Sequence, residues 1–340
     1  MFAREVNESE VMKAALEHVV LVQVDCEKGK GPEIAKTYSV RGYPTFMTVD
    51  AEGAVTGGYL GYDGPDSWAA YAMDCAADNR TVAAKKAAYA ETPTAALARA
   101  LAQHASTAYD FKSAVGYFRT ARDMDAARAG DYTDSILQFM YYGSFSGDFG
   151  LEEIEPEAKS VFFAADTDVA DKLDLAYMIT GVAKSSGVPE RAAPYLREAM
   201  AVSADVTDEE LLGTREHLAV DAALIVDDDP ERAVGLMRAN LPEGWQDDHR
   251  RLNRFAWWCF ENGVNLEEAL CLALKGVDLS PDDQARAQIL DTAAEICNAL
   301  GDCSQAVDHM KRAVEMQPDN AGYKDQLVRF ETRLADGDCG

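Results

Sequence analysis

Seven cysteines, Cys26, Cys75, Cys259, Cys271, Cys297, Cys303 and Cys339, are the side chains of this sequence best suited to covalent chemistry. Disulfide exchange needs a thiolate whose pKa is lowered at a helix N-terminus, and a second thiol close enough to resolve the mixed disulfide. No Cys-x-x-Cys occurs anywhere in the 340 residues. The cysteines are odd in number and widely scattered, so they predict neither a disulfide framework nor a zinc site, whose ligands come in short-spaced pairs. Cys26 follows the apolar run of residues 19–25. With only Lys28 and Lys30 nearby to activate it, it reads as a small half-buried side chain, a lone redox thiol being the alternative. Cys75 reads as a packing residue. In the second half His104, His217, His249 and His309 stand isolated, and no metal-ligand spacing, nucleophile elbow or phosphate-cradling glycine loop is present. No catalytic residue, metal or cofactor is therefore expected. Glu209-Glu210 and Asp227-Asp228-Asp229 read as helix caps or loops, not as paired catalytic carboxylates.

Two other groupings suggest binding. Arg250, Arg251, Asn253 and Arg254 make a local basic cluster in an acidic chain, either a solvated charge run or a site for an acidic peptide terminus. Trp257-Trp258 follow on the same helical pattern; Trp257 reads as core and Trp258 as a groove residue beside Arg250 and Arg254.

The elements that would position the first thiol lie in residues 1–80. Asn7 or Ser9 can cap a short helix through Val11, Met12, Ala15 and Leu16. Residues 19–25, Val-Val-Leu-Val-Gln-Val-Asp, are β-branched and apolar on both faces, the pattern of a strand buried from both sides. Pro32 opens a helix running to Tyr38. A Tyr43-Pro44 turn leads into a strand over residues 45–50, a tight turn at Ala51-Glu52-Gly53, and a strand over 54–60 weakened by Gly57-Gly58. Asp63-Gly64-Pro65 then starts a helix with Trp68, Tyr71 and Ala72 on its inner face.

This order, with Gly42-Tyr43-Pro44-Thr45 at its centre, resembles the final three quarters of the thioredoxin-like fold. The resemblance implies a cis peptide before Pro44 and a turn, Tyr43, Pro44 and Thr45, whose backbone pairs with a bound peptide; a turn of purely structural use is the alternative. It also implies a central strand delivering a Cys-x-x-Cys between the strands matching residues 19–25 and 45–50. That strand is absent here. Met1-Phe2-Ala3-Arg4-Glu5-Val6 resembles the helix just after the redox pair, so the chain is expected to begin inside the domain. Unpaired buried N–H and C=O groups cost about 1–3 kcal/mol each. Three outcomes follow: the flanking strands collapse together, a neighbouring chain donates a strand, or the module is poorly stable alone.

From about residue 81 apolar residues recur at helical spacing, broken by Gly, Pro and Asp. The clearest unit spans 287–320, with Leu290, Ala293, Ala294 and Cys297 on one helix, Gly301-Asp302 at the turn, and Ala306, Met310 and Ala313 on the next. Residues 250–283 repeat the scheme, and weaker copies cover 95–128, 173–206 and 214–247; 132–165 is helical but fits no repeat. These units resemble the tetratricopeptide repeat, a helix-turn-helix of about 34 residues. Residues 321–335 read as a solvating end helix. The expected fold class is thus α/β plus all-α: an incomplete thioredoxin-like domain over 1–80, then a tetratricopeptide-like α-helical solenoid over 81–340. Such solenoids present a groove to a peptide or protein partner.

Composition agrees with a folded chain: 48% of residues are hydrophobic, and no window is long and apolar enough to span a bilayer. A formal charge of −27 opposes nucleic acid, whose phosphates demand a basic footprint. As written the chain is expected in the cytoplasm, or in the periplasm if a signal peptide lies upstream. Two functions remain open: an interaction protein whose thioredoxin-like module lacks its redox pair, and part of a thiol-disulfide oxidoreductase whose Cys-x-x-Cys precedes Met1.

Overall fold

A computed structural model describes residues 2–338, which form two compact units divided between Ala165 and Asp166. The first unit runs α1 (Phe2–Glu8), α2 (Glu10–Leu16), α3 (Gly31–Thr37), β1 (Thr45–Val49), β2 (Val55–Leu60), α4 (Pro65–Ala77), α5 (Val82–Glu91), α6 (Ala95–Thr107), α7 (Phe111–Met124), α8 (Ala129–Ser144) and α9 (Leu151–Phe162). Ser9 separates α1 from α2 because its Oγ accepts the Met12 N–H at 3.4 Å, capping the second helix. Met12 and Ala15, three apart on one face of α2, are buried against Trp68, Ala69 and Ala72 of α4.

Residues 19–25, expected as a strand, form none. Residues 20–25 lie outside any helix or strand, with Val20 92% and Val22 73% exposed. A β-branched run becomes a strand only where a neighbour accepts its main-chain hydrogen bonds, and the sheet here has just two strands, β1 and β2. The flanking segments do not collapse onto each other. The chain is mostly α-helical, and its sheet is small and unclosed.

β1 and β2 pair antiparallel, Phe46 opposite Tyr59 and Thr48 opposite Gly57, with an irregularity between Thr48 and Val49. Asp50 ties the turn, its Oδ1 accepting the N–H of Ala54 at 2.7 Å and of Glu52 at 3.1 Å, while Gly53 takes φ +84°. Helices pack on both faces of the hairpin. On one, Phe46 meets Phe2 and Trp68, and the Tyr71 hydroxyl donates to Thr48 Oγ1 at 3.4 Å. On the other, α6 comes so close that a Cβ on Gly58 would stand 2.8 Å from Thr107 Cγ2. A Cβ on Gly57 would stand 2.8 Å from Thr48 Oγ1 and 3.0 Å from Cys75 Sγ. The glycine pair that weakens the strand on propensity is what lets helices approach from both sides.

The rest of this unit is an antiparallel series in which α6 packs on α7, α7 on α8 and α8 on α9. Phe118 and Phe139 stack with ring centroids 5.8 Å apart, and Arg122 of α7 pairs with Glu157 of α9 at 2.9 Å. That guanidinium holds the Glu157 carboxyl below the usual carboxylate range.

The second unit runs α10 (Val169–Ser185), α11 (Ala193–Val202), α12 (Glu209–Ile225), α13 (Pro230–Ala239), α14 (His249–Glu261), α15 (Leu266–Leu279), α16 (Asp283–Ala299), α17 (Cys303–Met316) and α18 (Ala321–Asp336). Aspartates cap most of these helices: Asp168, Asp208, Asp229, Asp248, Asp282 and Asp302 each accept a first-turn N–H. Part of the chain's acidity is therefore spent on orphan helix donors and the positive end of the helix dipole. Between α16 and α17, Ala293, Ala294, Ala306 and Ala313 let the helices approach while Leu290 and Met310 fill the remaining space, all fully buried. Gly301 turns the chain at φ +84°. The end helix α18 buries Phe330 completely, and Arg329 pairs with the buried Glu295 of α16. Cys303, which the scattered cysteine spacing did not single out, is disulfide-bonded. Cys339 lies outside the described residues.

Candidate functional site

Four of the residues expected to act lie together in the first unit. Cys26, Tyr43, Pro44 and Thr45 all line one cleft of about 800 Å³, bounded on one side by residues 21–27 and on the other by β1. The Tyr43-Pro44 bond is cis, and Thr45 Oγ1 donates to the Gly42 carbonyl at 2.7 Å, fixing the turn at the entrance to β1. Tyr43 is 65% exposed. Desolvation, then Cys26 and the carboxylates of Glu27 and Asp25, hold its hydroxyl above the ordinary tyrosine pKa. Asp25 is held low by the Lys28 ammonium at 3.0 Å and the Glu27 N–H. The Cys26 thiol makes a long contact, 3.9 Å, to the Val24 carbonyl. Cys75 sits on α4, 3.5 Å from Thr48 Oγ1, where burial pushes its thiol up.

A second groove, about 650 Å³, lies in the second unit between α14 and α16. Asp248 fixes where α14 starts by accepting the N–H groups of Arg250 and Arg251 at 2.8 and 3.2 Å. Leu252, Phe255, Ala256 and Cys259 then face the core, which leaves Arg250 and Arg254, one turn apart, on the groove side. Arg251 reaches Asp248 at 3.8 Å, but among the described residues neither Arg250 nor Arg254 has an ion-pair partner. Beside them the buried Asn253 Oδ1 has no hydrogen-bond partner. Gln284, Gln288 and Asp291 of α16 form the facing wall. Burial, then Glu295, raises the Asp291 carboxyl to about 6.

The groove tryptophan is Trp257, not Trp258. Trp258 is partly buried against Phe255 and the core, whereas Trp257 is 36% exposed and lines the groove. Helix geometry carried the signal: at about 100° per residue, Trp257 falls roughly 20° from Arg250 around the axis and Trp258 roughly 80°. Gln288 and Asp291 left no such mark, because their place depends on which helix packs opposite.

Two further thiols offer little nucleophilicity, since burial pushes Cys259 up to about 12 and Cys297 up to about 11. Among the described residues no three His, Cys, Asp or Glu side chains gather as metal ligands would, and no helix is long and apolar enough to cross a membrane.

No protein-family model matches the chain, and no curated protein matches it. Among solved structures it is similar to YrrB, a TPR protein with an unusual peptide-binding site, at 15% identity and a TM-score of 0.34, over 74% of this chain and 100% of that one.

Proposed function

We propose that this chain is a protein-interaction protein whose α14/α16 groove holds an acidic peptide segment. One observation carries the reading: two guanidiniums one helical turn apart, without carboxylate partners, in a chain of net charge −27. Arginine favours bidentate recognition of carboxylates, and the two exposed guanidiniums face the groove together. Trp257 supplies an apolar floor beside them, and the unsatisfied Asn253 Oδ1 an acceptor for a peptide N–H. Helices stacked in pairs across residues 81–340 are read as a tetratricopeptide-like array. The order of turn, hairpin and helix over residues 1–80 is read as a thioredoxin-like module without its redox pair.

Fluorescence anisotropy tests the groove. A labelled peptide ending in four glutamates and a free carboxylate should bind the full chain and should bind the doubly reversed R250E/R254E variant at least about tenfold more weakly, a loss of roughly 1.4 kcal/mol. Both side chains are exposed, so the variant keeps its melting temperature. Equal binding by the two proteins would refute the proposal.

A further inference from the structure

The two edges of the small sheet are finished differently. The Pro44 carbonyl accepts the Gly61 N–H at 3.0 Å and the Asp50 N–H donates to Ala54 at 3.0 Å, so the ladder to β2 uses Phe46 and Thr48. By the alternation of an antiparallel pair, Thr45, Met47 and Val49 then direct their N–H and C=O groups to the opposite edge of β1. The outer edge of β2 is closed: Lys85, only 2% exposed, lays its ammonium 2.7 Å from the Thr56 carbonyl. A lysine set on a strand edge blocks the approach of another strand. β1 has no such guard. Its free edge opens on the 800 Å³ cleft, and across that cleft run residues 21–24, which make no backbone–backbone hydrogen bond among the described residues. Exposed apolar side chains gather there, Val22 and Ile34 on one side and Val49 on the other.

We propose that the cleft beside β1 is a strand-docking site that takes an extended, alternately apolar segment flanked by lysine or arginine, supplied by a different protein. Main-chain pairing with Thr45, Met47 and Val49 would hold it, and the apolar walls would accept its side chains. Charge decides the partner. Glu27 stands at the cleft with no ion-pair partner among the described residues, Asp25 beside it being paired with Lys28, and two copies each carrying −27 repel, which disfavours this chain's own exposed segment as the occupant. The site is separate from the α14/α16 groove, so either can fail without the other.

The probe is a synthetic peptide of about nine residues, alternating valine and threonine with paired lysines at both ends, added to the full chain and followed by amide hydrogen exchange. The amides of Thr45, Met47 and Val49 should slow by at least about tenfold, while those of Phe46 and Thr48, already bonded to β2, change little. The same peptide flanked by glutamates should bind about tenfold more weakly or worse, as should the lysine peptide with V49K, a change at an exposed side chain. Met47→Pro, which removes a free-edge donor but no bond to β2, should abolish the protection. Absence of protection at saturating peptide, or equal binding of the two flanked peptides, would overturn the proposal. Protection of the same amides that grows with protein concentration alone would overturn it in favour of a second copy.

Discussion

Adding one methyl group to Gly58 should destabilise the first unit, although strand propensity argues the reverse. Relative to alanine, glycine in a strand interior costs about 0.5–1 kcal/mol, which G58A would recover. Its new Cβ, however, would stand 2.8 Å from Thr107 Cγ2, 3.0 Å from Thr107 Oγ1 and 3.3 Å from His104 Nδ1. Thr107 is 5% exposed and is held by its own hydroxyl bond to the His104 carbonyl at 2.7 Å, so neither neighbour yields cheaply. Overpacking of this kind costs about 1–3 kcal/mol. The net expectation is a loss of about 1–2 kcal/mol, or roughly 2–8 °C in a unit of this size. Gly116 is the control: it sits mid-helix in α7, exposed, with nothing within 4 Å of where a methyl would stand, so G116A should gain about 1 kcal/mol. Urea melts of the full chain, read at the transition of the first unit, compare the two. A G58A protein as stable as the parent would refute the claim that α6 lies tight against β2.

Three further outcomes follow from the same geometry. Arg329→Met should cost about 2–3 kcal/mol and speed hydrogen exchange across α18 first, because it strips the buried Glu295 of its cation; unchanged exchange there would contradict this. Asp291, raised to about 6 by burial, keeps its proton in the native state over a range where the unfolded chain has lost it, so stability falls as pH rises from about 4 to about 6 and levels off above. D291N should remove that slope and add about 1–2 kcal/mol above pH 6 after allowance for solvent screening; an unaltered pH profile in chemical denaturation would count against it. Insulin disulfides should not be reduced by this chain, and turnover abolished by Cys26→Ser would overturn that expectation.

The helical pairs were legible because their cause is local. Ala287, Leu290, Ala293 and Cys297 recur at the spacing of one helix face, and Gly301 marks the turn that follows; all four apolar residues are fully buried. The hairpin was legible for the same reason, through Ala51-Glu52-Gly53 between two alternating runs. Residues 20–25 were not, because a doubly apolar run looks identical whether or not a partner strand exists to receive it. Gly57 and Gly58 misled in a related way: their value lies in Thr48, Cys75 and Thr107, residues that sequence does not place beside them. At the α14/α16 groove the basic pair was visible as an i, i+4 spacing, but the sequence reading put Trp258 in the groove where counting around the helix favours Trp257; the wall supplied by α16 required the packed structure.

A charge swap tests the central claim, that Arg250 and Arg254 recognise an acidic segment. Isothermal titration of the parent and of R250E/R254E, each with a four-glutamate and a four-lysine peptide, gives the answer in one experiment. The account predicts that the parent binds the glutamate peptide and the reversed variant prefers the lysine peptide. A reversed variant that still favours glutamate, or a parent that binds neither peptide, would contradict it.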